Sequence, residues 1–147
     1  MSSTILEPFL YAARSITGAE RGLVVDTNMH ILQTVNLDPA IAAAADFIES
    51  ATQILRDAIA QGEPIVTNNV ITDPAQAPTT NTNFSDLRVV VAIPVKHEGA
   101  VYLEKHIKNG VIDRDTVDKL MRLAGEALED STLHSESALV ERYAMLE

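Results

Sequence analysis

RVVVAIPV, residues Arg88 to Val95, carries one charge at its first position and is otherwise apolar and mostly β-branched. A run this short and this hydrophobic reads as a strand buried on both faces, near the centre of a sheet. His97-Glu98-Gly99 supplies a tight turn, and Ala100-Val101-Tyr102-Leu103 returns as the next strand. An antiparallel pair therefore forms the middle of the fold, and the rest of the chain must cover it.

Upstream, Pro64 to Thr67 is a brief strand whose proline suits a sheet edge. Asn68 to Asp86 differs in kind: it is rich in asparagine and threonine, holds Pro74 and Pro78, and has few hydrophobic residues. Loops of this length without regular structure are uncommon and usually functional. Before them, Asp38-Pro39 caps and starts a helix with apolar positions at Ile41, Ala45, Phe47, Ile48, Ala51, Leu55 and Ile59. Ser50 offers a second cap, so one helix or two fit the pattern. Leu23-Val24-Val25, a turn at Asp26-Thr27-Asn28 and the alternating His30 to Asn36 read as a hairpin, with Ile31 and Val35 on one face and Leu32 and Thr34 on the other. Leu6, Phe9, Leu10, Ala13 and Ile16 give a first helix ending before Gly18.

Downstream, a loop from Glu104 to Ile112 leads to a helix from about Thr116 to Glu129, capped by Asp113 or Asp115. Its stripe is Val117, Leu120, Met121, Ala124 and Leu128. Asp130 to Ser137 is polar, and an apolar pattern resumes at Ala138, Leu139, Tyr143, Met145 and Leu146. The order implies an α+β domain with an antiparallel sheet. A single domain over 1–147 is expected, with a core of about 5–128 and a helical extension over 129–147.

Composition limits the function. The net charge of −10 disfavours nucleic acid and anionic membranes as partners. With no cysteine, the chain has no disulfide, thiol nucleophile or Cys-ligated zinc. No apolar run approaches the roughly 18 residues of a membrane span, and MSSTILEPFL lacks a basic leader, so a cytoplasmic protein is expected. Nothing resembles a nucleophile elbow or a phosphate-cradling glycine loop, so no enzyme is expected.

Four segments together carry a resemblance. ITGAERGLVV (16–25), SATQILRDAIAQGEPIVTNNV (50–70), LRVVVAIPV (87–95) and AVYLEK (100–105) resemble, in order, segments of the GAF domains of bacterial signalling proteins. That resemblance implies a GAF/PAS-like antiparallel sheet of five or six strands with helices on both faces. It also implies a pocket between the sheet and the loops over one face. Members of the family bind small molecules or serve as dimerisation modules. The cyclic-nucleotide signature is met only by Asn83-Phe84-Ser85-Asp86, which lacks its lysine and its terminal Asp-Glu. Thiol-tethered bilins and thiol chemistry need a cysteine that is absent.

The expected ligand site is therefore the span over Asn68 to Arg88, with Asn68, Asn69, Asn81, Asn83, Phe84, Arg88 and Tyr102 as candidates; asparagine amides read both donors and acceptors. The alternative for each asparagine is a turn that satisfies its own backbone. Lys96, His97, Lys105, His106 and Lys108 concentrate positive charge, for an anionic ligand or as solvated turns, and no metal ligand set emerges. A homodimer is expected through the terminal helices at Leu6, Phe9, Leu10, Val117, Met121, Ala124 and Leu128, although packing on the domain's own sheet explains the same stripes. The resulting expectation is a non-catalytic sensory domain that binds a small polar ligand of unknown identity, or a partner signalling protein. A ligand-free scaffold is the alternative.

Overall fold

The computed structural model describes residues 5–37, 45–67, 88–106, 110 and 112–146, except for the side chains of 45–47 and 88. In chain order the elements are α1 (Leu6–Thr17), β1 (Arg21–Asp26), β2 (Ile31–Val35), α2 (Ala45–Gln61), β3 (Ile65–Thr67), β4 (Arg88–Val95), β5 (Gly99–His106), α3 (Arg114–Glu129) and α4 (Glu136–Met145), with a 3₁₀ turn at Ser131–Leu133 before α4. The strands form one antiparallel sheet in the order β2-β1-β5-β4-β3.

Side chains alternate across β4, and the two sets are buried in different layers. Val89, Val91, Ile93 and Val95 join Val24, Val101 and Leu103 against α1, α3 and α4. Val90 and Ala92 join Leu23, Val25, Ala100 and Tyr102 against Ala51, Leu55 and Ala58 of α2. Helices thus cover both faces, as an α+β domain of this kind requires. Leu139 of α4 is fully buried in the first layer, so this stretch completes the core rather than extending from it.

Local chemistry sets the boundaries. Gly18 ends α1 at φ 72°, its amide donating to the Arg14 carbonyl. Asp113 caps α3 by accepting from the Thr116 amide at 2.8 Å and from its hydroxyl at 2.7 Å. Ser135 caps α4 through the Ala138 amide.

Three expectations change. β5 runs on through Glu104, Lys105 and His106, where the sequence pattern predicts a loop. The reason is the antiparallel ladder with β1 and β4, which keeps residues as polar as these in register. α2 is continuous over Ala45–Gln61, so Ser50 breaks nothing; the start expected at Asp38-Pro39 lies outside the described residues. A register shift between Val24 and Val25 puts Ile31 opposite Val25 and Val35 opposite Gly22, so these two residues pair with positions on opposite faces instead of sharing one.

The β4–β5 turn carries two backbone constraints of opposite sign. Gly99 lies against β1 so closely that a Cβ there would meet the Val25 carbonyl oxygen at 1.9 Å. His97 adopts φ 66°, a left-handed conformation that costs an L-residue about 1 kcal/mol. Gly99→Ala is therefore expected to destabilise the fold by more than about 2 kcal/mol, and His97→Gly to stabilise it by about 0.5–1 kcal/mol, both read from urea denaturation. At Asp113, the Thr116 amide and hydroxyl hold the carboxyl below the usual carboxylate range. A depressed value contributes stability above the unfolded pKa, about 3.9, that is lost as pH falls through the folded one. Asp113→Asn should therefore flatten the fall in melting temperature between about pH 5 and pH 3.

Candidate functional site

On the α2 face, one row of register partners crosses four strands: Thr67, Val90, Glu104 and Arg21. It stands where β3 ends and β4 begins, the two points at which the 68–87 span leaves and rejoins the sheet. At the usual strand spacing the row is about 14 Å long.

Its middle is ionic. Glu104 is 4% exposed, and two donors converge on its carboxylate. Arg21 Nη2 donates to Glu104 Oε1 at 2.5 Å, and the Tyr102 hydroxyl donates to Oε2 at 2.7 Å. A buried carboxylate is tolerated only when its oxygens are occupied in this way. At the row's outer end the Thr67 hydroxyl is buried without a hydrogen-bond partner among the described residues. Beside the row, the Glu20 carboxylate takes the Nδ1–H of His106 at 2.6 Å and its backbone amide as well.

The expected site residues divide accordingly. Asn68, Asn69, Asn81, Asn83 and Phe84 lie outside the described residues, as does Lys108. The backbone of Arg88 opens β4 opposite His106. Tyr102 is buried at 1% exposure and commits its hydroxyl to Glu104. The basic group is not one cluster: Lys96 and His97 occupy the β4–β5 turn, whereas Lys105 and His106 end β5 at the far side of the sheet. Lys105 Nζ donates to the Thr17 carbonyl at the end of α1. Glu20 and Arg21, adjacent in sequence, serve different partners.

Of the residues expected at a dimer interface, Leu6, Phe9, Leu10, Val117 and Ala124 are buried in the chain's own core; Met121 and Leu128 are half-buried. The same side chains cannot fill both places, and the sheet takes them. The sequence pattern does not single out Arg21, Glu104 or Thr67, which the sheet brings into one row. Alternation was the signal, because Glu104 follows Tyr102 by two positions and so shares its face.

A second feature lies at the opposite end of the sheet. A groove of about 1010 Å³ surrounds the β4–β5 turn between the end of α2 and the α3 stretch from Met121 to Glu129. Among the described residues no group of three His, Asp or Glu side chains converges as a metal site. No helix among them is long and apolar enough to cross a membrane.

Removing either partner of Glu104 should leave a buried charge short of a bond. Arg21→Ala is expected to cost about 3 kcal/mol and Tyr102→Phe about 1–2 kcal/mol, with non-additive effects in the double variant, measured by denaturant unfolding.

No protein-family model matches the sequence, and no curated protein does. Among solved structures the chain is similar to the GAF domain/HD domain protein from Geobacter sulfurreducens, with a TM-score of 0.57 and 13% identity over 85% of this chain and 89% of that one. It is also similar to MglB in a tetrameric arrangement (TM-score 0.45, 17% identity, 94% and 98% covered). The gliding protein MglB from Thermus thermophilus matches at TM-score 0.37 and 14% identity, with 99% of each chain covered. Of these three, the Geobacter likeness has a TM-score above 0.5 and shows the fold. The fold of this chain is GAF-like.

Proposed function

We propose that this chain is a non-catalytic regulatory domain that takes a small polar molecule on the α2 face, at the Thr67–Arg21 row, and works as a cytoplasmic homodimer. The GAF-like fold supports a regulatory role, since its Geobacter relative in shape joins a GAF domain to an HD domain. The observation that carries the ligand reading is unspent hydrogen-bonding capacity inside a buried row. Among the described residues the Thr67 hydroxyl has no partner. Arg21 directs one N–H to Glu104, and its other donors have no partner among the described residues.

A buried hydroxyl left unpaired costs about 1–3 kcal/mol, a cost that a ligand bearing an acceptor removes. Glu104 already neutralises Arg21, so the row suits a molecule with matched donors and acceptors better than a strong anion. Both Glu104 oxygens accept hydrogen bonds, which fits a binding role rather than a proton-transferring one. Occupancy matters to the rest of the domain only if the ligand prefers one arrangement of it over another.

Thr67→Val separates this reading from a ligand-free scaffold, because it removes the hydroxyl while keeping the β-branched shape. The variant is expected to melt at the same temperature as the parent or higher. Native mass spectrometry of freshly purified protein should show a small-molecule adduct on the parent, and a thermal-shift screen of polar metabolites should give hits that Thr67→Val loses. Hits that stabilise the variant equally would remove the row from the site. No adduct and no hit would leave the scaffold.

A further inference from the structure

Gly125 sits in the middle of the sixteen-residue helix α3, is exposed, and would have nothing within 4 Å of an added Cβ. A glycine inside a helix costs about 1 kcal/mol relative to alanine. Among the described residues nothing approaches it, and its backbone needs no left-handed angle. A bare helix surface of this kind lets another backbone come close.

The surroundings say what approaches. Met121 and Leu128, one turn to either side, are half-buried and form apolar shoulders of the groove. Across it stands the β4–β5 turn, which presents Lys96 and His97, both exposed. On the helix side the groove ends at Glu129, also exposed, in a last turn that contains no basic residue. There the carboxylate adds to the negative end of the helix dipole. Among the described residues, none of the Lys96, His97 and Glu129 side chains has an ion-pair or hydrogen-bond partner. One groove thus carries Lys96, His97 and Glu98 on the wall formed by the turn and an unmatched acidic helix end on the other. In a chain of net charge −10, a surface carrying both signs fits itself.

We propose that a second copy of this chain docks here. A two-fold axis through the groove seats the β4–β5 turn of each copy on the Gly125 stretch of the other. Lys96 then meets the partner's Glu129, and the bare backbone at Gly125 makes room for the incoming turn. Such a contact is isologous and closes at two subunits. It locates the dimer named above on a surface remote from the Thr67–Arg21 row. It rests on that reading only for the dimeric state, so ligand binding and dimerisation can fail separately.

The test is sedimentation velocity on the full chain, with melting curves as the fold control. The parent should sediment as a dimer at about 100 μM. Lys96→Glu and Glu129→Lys should each raise the dimer Kd about tenfold or more, and the double swap should restore it. Both residues are exposed, so their variants should melt as the parent does. Gly125→Gln should fill the seat and give a monomer that stays folded. On protein diluted until it is monomeric, Gly125→Ala should raise the melting temperature by roughly 3 °C. A monomeric parent, a dimer indifferent to the single swaps, or a double swap that restores nothing overturns the proposal. So does a Gly125→Ala variant that melts lower than the parent when both are diluted until monomeric, because the glycine would then have a use within its own chain.

Discussion

β4 is apolar on both sides, and that fact constrains every other element. A strand with Val89, Val91, Ile93 and Val95 on one face and Val90 and Ala92 on the other cannot leave either face in water. Each buried side chain of this size contributes about 1.5–3 kcal/mol relative to exposure, so two helical layers are required. α2 supplies one, and α1, α3 and α4 supply the other. The antiparallel ladder to β5 holds the two layers at a fixed offset, and Gly99 keeps that ladder pressed against β1.

Against this apolar background, the Arg21–Glu104–Tyr102 group is costly. An ion pair taken out of water gains little net stability even with good geometry. Its cost is offset only while every member keeps its partner, which makes it a device for specifying geometry rather than for adding stability. The group ties β1 to β5 at the register pair Arg21 and Glu104. It also leaves a polar floor in a face that α2 otherwise seals with Ala51, Leu55 and Ala58.

Much of the architecture was legible in the sequence, because it follows from periodicity. The valine run declared a two-sided strand, Gly18 and Asp113 marked helix boundaries, and the order of elements implied the α+β arrangement. What was hidden depended on pairing across long separations. Glu104 looks like a loop residue until Arg21 and Tyr102 are seen to hold it, and nothing in the sequence pairs Arg21 with a residue 83 positions away. The bulge beside Val24 was equally invisible, since hydrophobic alternation continues through it unchanged. Stripes on α1 and α3 showed correctly that one side of each helix is buried. A periodicity says that a face is covered and does not say by what, and here the cover is the sheet.

The sheet also works as a partition. The polar row lies on one side of it, with α2, and the layer of α1, α3 and α4 on the other. Each strand nevertheless serves both compartments in alternation: Tyr102 faces α2 while Val101 and Leu103, bonded to it on either side, touch the opposite layer. Any change in the packing of Tyr102 against α2 is therefore borne by the same stretch of backbone that seats Val101 and Leu103 beneath the other layer.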